Sequence, residues 1–130
     1  MNPLNETFAV SRRVLSERRD TLQDVFGGHW ILGPYGPRMG RDGTWGSAYV
    51  SIEGRYRRIG RWWILSLNLD WNIANANNIE LEANIGYTNR GYHEIYKEIV
   101  TPPINEAPDK AIEMLARLGP RFMEHVAGDE

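Results

Sequence analysis

Ten consecutive residues, GRYRRIGRWW at 54–63, hold the four arginines Arg55, Arg57, Arg58 and Arg61 and the three rings Tyr56, Trp62 and Trp63. Guanidinium groups interleaved with exposed rings supply charge and stacking, which is how RNA and single-stranded DNA are held. Protein interfaces are enriched in the same side chains. A second cluster lies upstream, where GPYGPRMGRDGTWG at 33–46 carries Tyr35, Arg38, Met39 and Arg41 among five glycines. Its glycines match neither a P-loop nor a dinucleotide fingerprint, so it reads as a contact loop and not as a phosphate cradle. The arginine stretch matches no RRM, KH or cold-shock motif.

Catalytic chemistry has less to stand on. His29, His93 and His125 occur in no HxH, HExxH or HxxE spacing, so no metal site is expected. Glu80 and Glu82 share one face of a strand with Glu98 expected opposite Glu82, and the plain reading is a solvated acidic face balanced by Lys97 or Arg90. Asp70, Asn72, Asn75, Asn77 and Asn78 lack the calcium-loop pattern and read as an asparagine-rich turn. No catalytic residue, metal or cofactor is assigned.

Elements must present these side chains, and the pattern supplies them. Leu4, Phe8, Leu15, Leu22, Val25 and Phe26 form a helical stripe, interrupted by Ser11 and Arg18, that predicts a helix over 6–26. Asn5 is the expected N-cap, and Gly27-Gly28 the stop. Arg12, Arg13, Arg18 and Arg19 fall on its other faces, the ordinary place for solvated charge. Ala111, Ile112, Leu115, Leu118, Phe122 and Val126 predict a C-terminal helix starting near Pro108; Gly119-Pro120 should bend it and leave a short final helix.

Between the helices, 29–33, 45–57, 61–71, 79–87 and 91–101 read as strands. A turn at Ile59-Gly60 sets Tyr56 against Trp63, Ile52 against Leu67 and Val50 against Leu69, giving one apolar face. Tyr49, Arg55, Arg57, Trp62 and Ile64 then share the opposite face, with Arg57 across from Trp62 for a cation–π contact. Residues 92–100 also fit a helix, but a type I turn at 88–90 with Gly91 as a left-handed bulge pairs Ile85 with Ile95 and Leu81 with Ile99. The expectation is one α+β domain over 1–130: N-terminal helix, four- to five-stranded mostly antiparallel sheet, kinked C-terminal helix, in two layers.

Composition narrows the function class. The chain has 130 residues, no cysteine and a formal charge of −2, which excludes a disulfide scaffold, a thiolate metal site and a general polyanion binder. Charge is uneven: 38–63 carries six arginines against two acids, and 94–130 carries eight acids against four bases. The first ten residues lack the features of a leader, no run spans a bilayer, and a cytoplasmic location without membrane contact is expected. The leading expectation is a small non-enzymatic protein-binding domain of inhibitor, immunity, chaperone or adaptor type, a kind often carried by phages and mobile elements. Its contact residues are Tyr35, Arg38, Arg41, Tyr49, Arg55, Arg57, Arg58, Arg61 and Trp62. The alternatives are a nucleic-acid binder using the basic residues of 38–63, and a small-molecule or enzymatic pocket between sheet and helices with His29, His93 or Glu94 as acid or base. Five tryptophans and six tyrosines also make a homodimer a candidate.

Overall fold

The structure is a computed structural model that describes residues 2–56 and 60–129. Helix α1 (Asn5–Phe26) is followed by β1 (His29–Met39), β2 (Trp45–Arg55), β3 (Trp62–Asn72), a single 3-10 turn at Ile73–Asn75, β4 (Glu80–Thr88), β5 (Tyr92–Val100) and α2 (Ala107–Ala127). The five strands form one antiparallel meander in the order β1-β2-β3-β4-β5. This is the expected α+β architecture.

Alternation builds the core. Val50 and Ile52 of β2, Trp63, Leu65, Leu67 and Leu69 of β3, and Leu81, Ala83 and Ile85 of β4 are buried on one side of the sheet. Both helices cover that side. Leu4 at the N-cap of α1, Leu15 and Leu22 within it, and Met114, Leu115, Leu118, Phe122 and Val126 of α2 join the same cluster. Phe122 sits edge-on to Trp30 and Trp63, with ring centroids 6.2 and 6.5 Å away. The two polar interruptions of the α1 stripe are part of the packing: Ser11 is buried and donates to the Thr7 carbonyl at 2.7 Å, and Arg18 donates to Met123 Sδ of α2.

Several local expectations are corrected. Leu4, not Asn5, occupies the N-cap position of α1, and the Asn2 side chain accepts the Leu4 N–H at 2.9 Å. Val25 is exposed and lies off the buried stripe. Gly27, with φ of 69°, does end the helix. The string 33–46 is not one loop, because β1 continues to Met39 and only 40–44 turn. Proline is tolerated there because β1 is an edge strand with no second ladder to feed. Pairing slips between Tyr35 and Arg38, around a cis Gly36–Pro37 bond and Gly36 at φ 98°.

The β2–β3 register is shifted by two: Gly54 pairs with Trp63, Ile52 with Leu65 and Val50 with Leu67. A slip of two leaves every side chain on its original face, so the apolar face stands as expected. The turn itself, with Arg57, Arg58, Ile59 and the Arg57–Trp62 contact, lies outside the described residues. In the β4–β5 hairpin, Gly91 takes positive φ as expected, but Arg90 does so too, at 56°, which a type I turn over 88–90 does not have. A second irregularity between Ile85 and Gly86 then pairs Ile85 with Tyr96 and Leu81 with Val100. Ile95 and Ile99 are consequently exposed, and Glu98 is turned away from Glu82. Last, α2 runs unbroken from Ala107 to Ala127 through Pro120, so no separate final helix forms.

Candidate protein-contact face

Both helices lie on one side, which leaves the other side of the sheet without a covering layer. Cross-strand partners share a face, so its side chains follow from the register. Rows across the strands read His29–Arg55, Ile31–Glu53–Ile64–Gly86–Glu94, Gly33–Ser51–Ser66–Asn84–Lys97, Tyr35–Tyr49–Asn68–Glu82–Ile99 and Arg38–Ser47–Asp70–Glu80, with Trp62–Thr88–Tyr92 completing the first. The middle row is a floor of small residues. Ser51, Ser66 and Asn84 are buried there without any helix above them, because longer side chains in the flanking rows overhang them. Ile31, Tyr35, Tyr92, Ile95 and Ile99 are exposed on or beside those rows. Five exposed apolar side chains thus stand among charged ones on a face that neither helix covers.

The polar groups are arranged in two ways. Some are tied down: Glu53 accepts from Trp62 Nε1 at 3.1 Å and Ser51 Oγ at 3.3 Å, and Glu82 accepts from Asn84 Nδ2 and pairs with Lys97 Nζ at 3.4 Å. Others are held in tension. Asp70 lies directly across from Glu80, and partial burial, then Glu80, then Glu82, push its pKa up. The Tyr92 ring packs over Gly86, where a Cβ would collide with it, and burial followed by nearby Glu94, Tyr49 and Glu82 raises its hydroxyl pKa. At the Asp70 end, Tyr35, Arg38, Ser47, Tyr49, Asn68 and Asp70 line an open cleft of about 470 Å³. The Tyr35 and Tyr49 rings stand 5.7 Å apart there.

The expected contact residues do not form one patch. Tyr35, Arg38 and Tyr49 meet at this cleft, and Arg41 is in the adjoining 40–44 turn. Arg55 and Trp62 occupy the far end of the face, with the His29 ring 6.4 Å from Trp62. Ser47, the partner of Arg38, and Arg55 are eight residues apart on β2, or ~26 Å along the strand. Arg61 is turned to the helix side: its guanidinium lies over Tyr87 at 4.3 Å, and its Nε is 3.9 Å from Asp129. Arg57 and Arg58 lie outside the described residues.

The acid–base candidates are also separated. His29 is on the uncovered face, whereas His93 stacks on Tyr87 at 4.9 Å and sits 3.1 Å from the Asn89 carbonyl. His125 stacks on Trp63 in the last turns of α2. Among the described residues no group of three His, Cys, Asp or Glu side chains is placed to hold a metal. The asparagine-rich turn uses Asn72 Oδ1 to accept the Ala74 N–H.

Sequence reasoning missed Ile31, Tyr92, Ile95 and Ile99. The only available signal is Gly86, a residue without a Cβ in mid-strand, where a neighbouring ring crosses the backbone. Comparison with known proteins finds no matching family model, no similar curated sequence and no similar solved structure.

Proposed function

We propose that the chain is a small protein-recognition domain of inhibitor, immunity, chaperone or adaptor type that works through its uncovered sheet face. The observation that carries this reading is exposed Ile31, Tyr35, Tyr92, Ile95 and Ile99 on a face that no helix covers. A protein is favoured over a nucleic acid by charge. Among the described residues the face rows hold five carboxylates (Glu53, Asp70, Glu80, Glu82, Glu94) against three cations (Arg38, Arg55, Lys97). A phosphate backbone needs the reverse. A second copy of the chain is one admissible occupant, and light scattering at rising concentration measures that directly.

The test is affinity capture from the native host, with and without nuclease, using wild type, Ile99→Asp plus Tyr35→Asp on the face, and Glu113→Ala on the far helix. A nuclease-resistant protein held by wild type and Glu113→Ala but lost by the double variant is the expected outcome. Nuclease-sensitive capture transfers the reading to nucleic acid. Capture that ignores the double variant refutes the face.

A further inference from the structure

On the opposite layer, α1 and β1 enclose a groove of about 370 Å³ that the contact-face reading does not use. Its floor is Phe8 and Leu32, two core-packed side chains that stay partly open, with Ala9 beside them. Its rim carries Arg12 and Arg13. Other cations near the helices are engaged: Arg18 with Met123, Arg19 with Asp20, Arg117 with Glu98, and Arg121 over the Tyr96 ring. Arg12 and Arg13 make no ion pair, hydrogen bond or ring contact among the described residues. The rim's single acid, Glu17, stands one turn beyond Arg13 without pairing to it. The groove therefore joins an apolar floor to a net positive rim.

We propose that this groove binds a small amphiphile, a short alkyl chain ending in a carboxylate. The chain lies on Phe8 and Leu32, and the carboxylate accepts from the guanidinium groups of Arg12 and Arg13, a charge-assisted geometry for which arginine is suited. The volume selects a small molecule, since it falls at the lower end of ligand pockets and leaves little room for a peptide segment. Both arginines are exposed, so their removal spares the fold.

The test is calorimetric titration and amide chemical-shift mapping of the full chain with sodium octanoate, hexanoate, acetate and octan-1-ol. One-to-one octanoate binding is expected, with shifts at Phe8, Ala9 and Leu32. Hexanoate should bind about fifteenfold more weakly for its two missing methylenes. Octan-1-ol and the Arg12→Gln/Arg13→Gln variant should each lose about tenfold. Ala9→Trp, at an exposed helix position, should block the groove while circular dichroism stays unchanged. Octanol binding as tightly as octanoate, shifts elsewhere, undiminished binding by the arginine variant, or no octanoate binding in the millimolar range each overturn the proposal.

Discussion

Replacing Asp129 by alanine tests how the hairpin that carries Arg55 and Trp62 is held. The Asp129 side chain is 5% exposed and accepts the Trp63 Nε1–H at 3.0 Å and the Arg61 backbone N–H at 3.1 Å. Its carbonyl accepts the Tyr56 hydroxyl at 2.8 Å, so one residue after α2 clamps both sides of the β2–β3 turn. A hydrogen bond to a charged acceptor contributes ~1.5–3 kcal/mol, and a buried donor left unpaired forfeits its solvation as well. Trp63 is 2% exposed and cannot recover a water, so its bond counts in full; Arg61 is at the surface and its bond counts at about half. The sum is ~3 kcal/mol, which lowers the melting temperature of a domain of this size by ~10 °C. The ion pair to half-exposed Arg61 adds little in water. Thermal and urea unfolding of Asp129→Ala and Asp129→Asn measure this; asparagine keeps a neutral acceptor and should lose about half as much. A melting shift below ~2 °C for the alanine variant would refute the clamp.

Two glycines should respond differently to alanine. At Gly54 a Cβ meets the His29 backbone, which cannot move without breaking the β1–β2 ladder, so Gly54→Ala should cost ~3 kcal/mol in urea denaturation. At Gly119 the nearest atoms belong to the flexible end of Arg18, and the ~1 kcal/mol gained in helix propensity should leave Gly119→Ala within ~0.5 kcal/mol of wild type. Glu98 has its pKa lowered, first by the Arg117 hydrogen bond at 2.7 Å. A depressed carboxylate stabilises the fold above its unfolded pKa and loses that contribution as pH falls through the folded one, so Glu98→Gln should flatten the acid limb of a stability–pH curve below ~4.5. Asp70 is the reverse case, with its pKa raised by burial, Glu80 and Glu82. Its charged form strains the fold at neutral pH and not when protonated, so Asp70→Asn should raise the melting temperature at pH 7 and leave it unchanged at pH 3.

The reach of sequence reasoning is clearest in the hairpins. The alternation of Val50, Ile52, Trp63, Leu65 and Leu67 reveals which side of each strand is apolar, and the structure keeps that assignment. It cannot reveal the pairing, because registers two residues apart bury the same side chains. The Gly91 turn is likewise legible near Thr88 and Tyr92. Beyond Gly86 it fails: one irregularity exchanges Ile95 and Ile99 for Tyr96 and Val100 on the helix side, and composition carries no mark of it. The glycine- and proline-rich 33–46 reads as loop because propensity ignores that an edge strand has only one ladder to satisfy.

By itself, then, the sequence determined the order of helices and strands apart from the second half of β1, together with the buried stripes of both helices and the apolar face of β2 and β3, since these depend on periodicity within single segments. It also placed Tyr49, Arg55, Trp62 and Ile64 on the other face. Only the tertiary structure decided that the arginine-rich region 38–63 is split, with Arg38 of β1 and Arg55 of β2 at opposite ends of the β1–β2 pair. Tertiary packing also drew Arg61 to Asp129 and left Ile95 and Ile99 beside acids. Those outcomes depend on which strand lies next to which and in what register, and such long-range choices have no signature within the GRYRRIGRWW stretch itself.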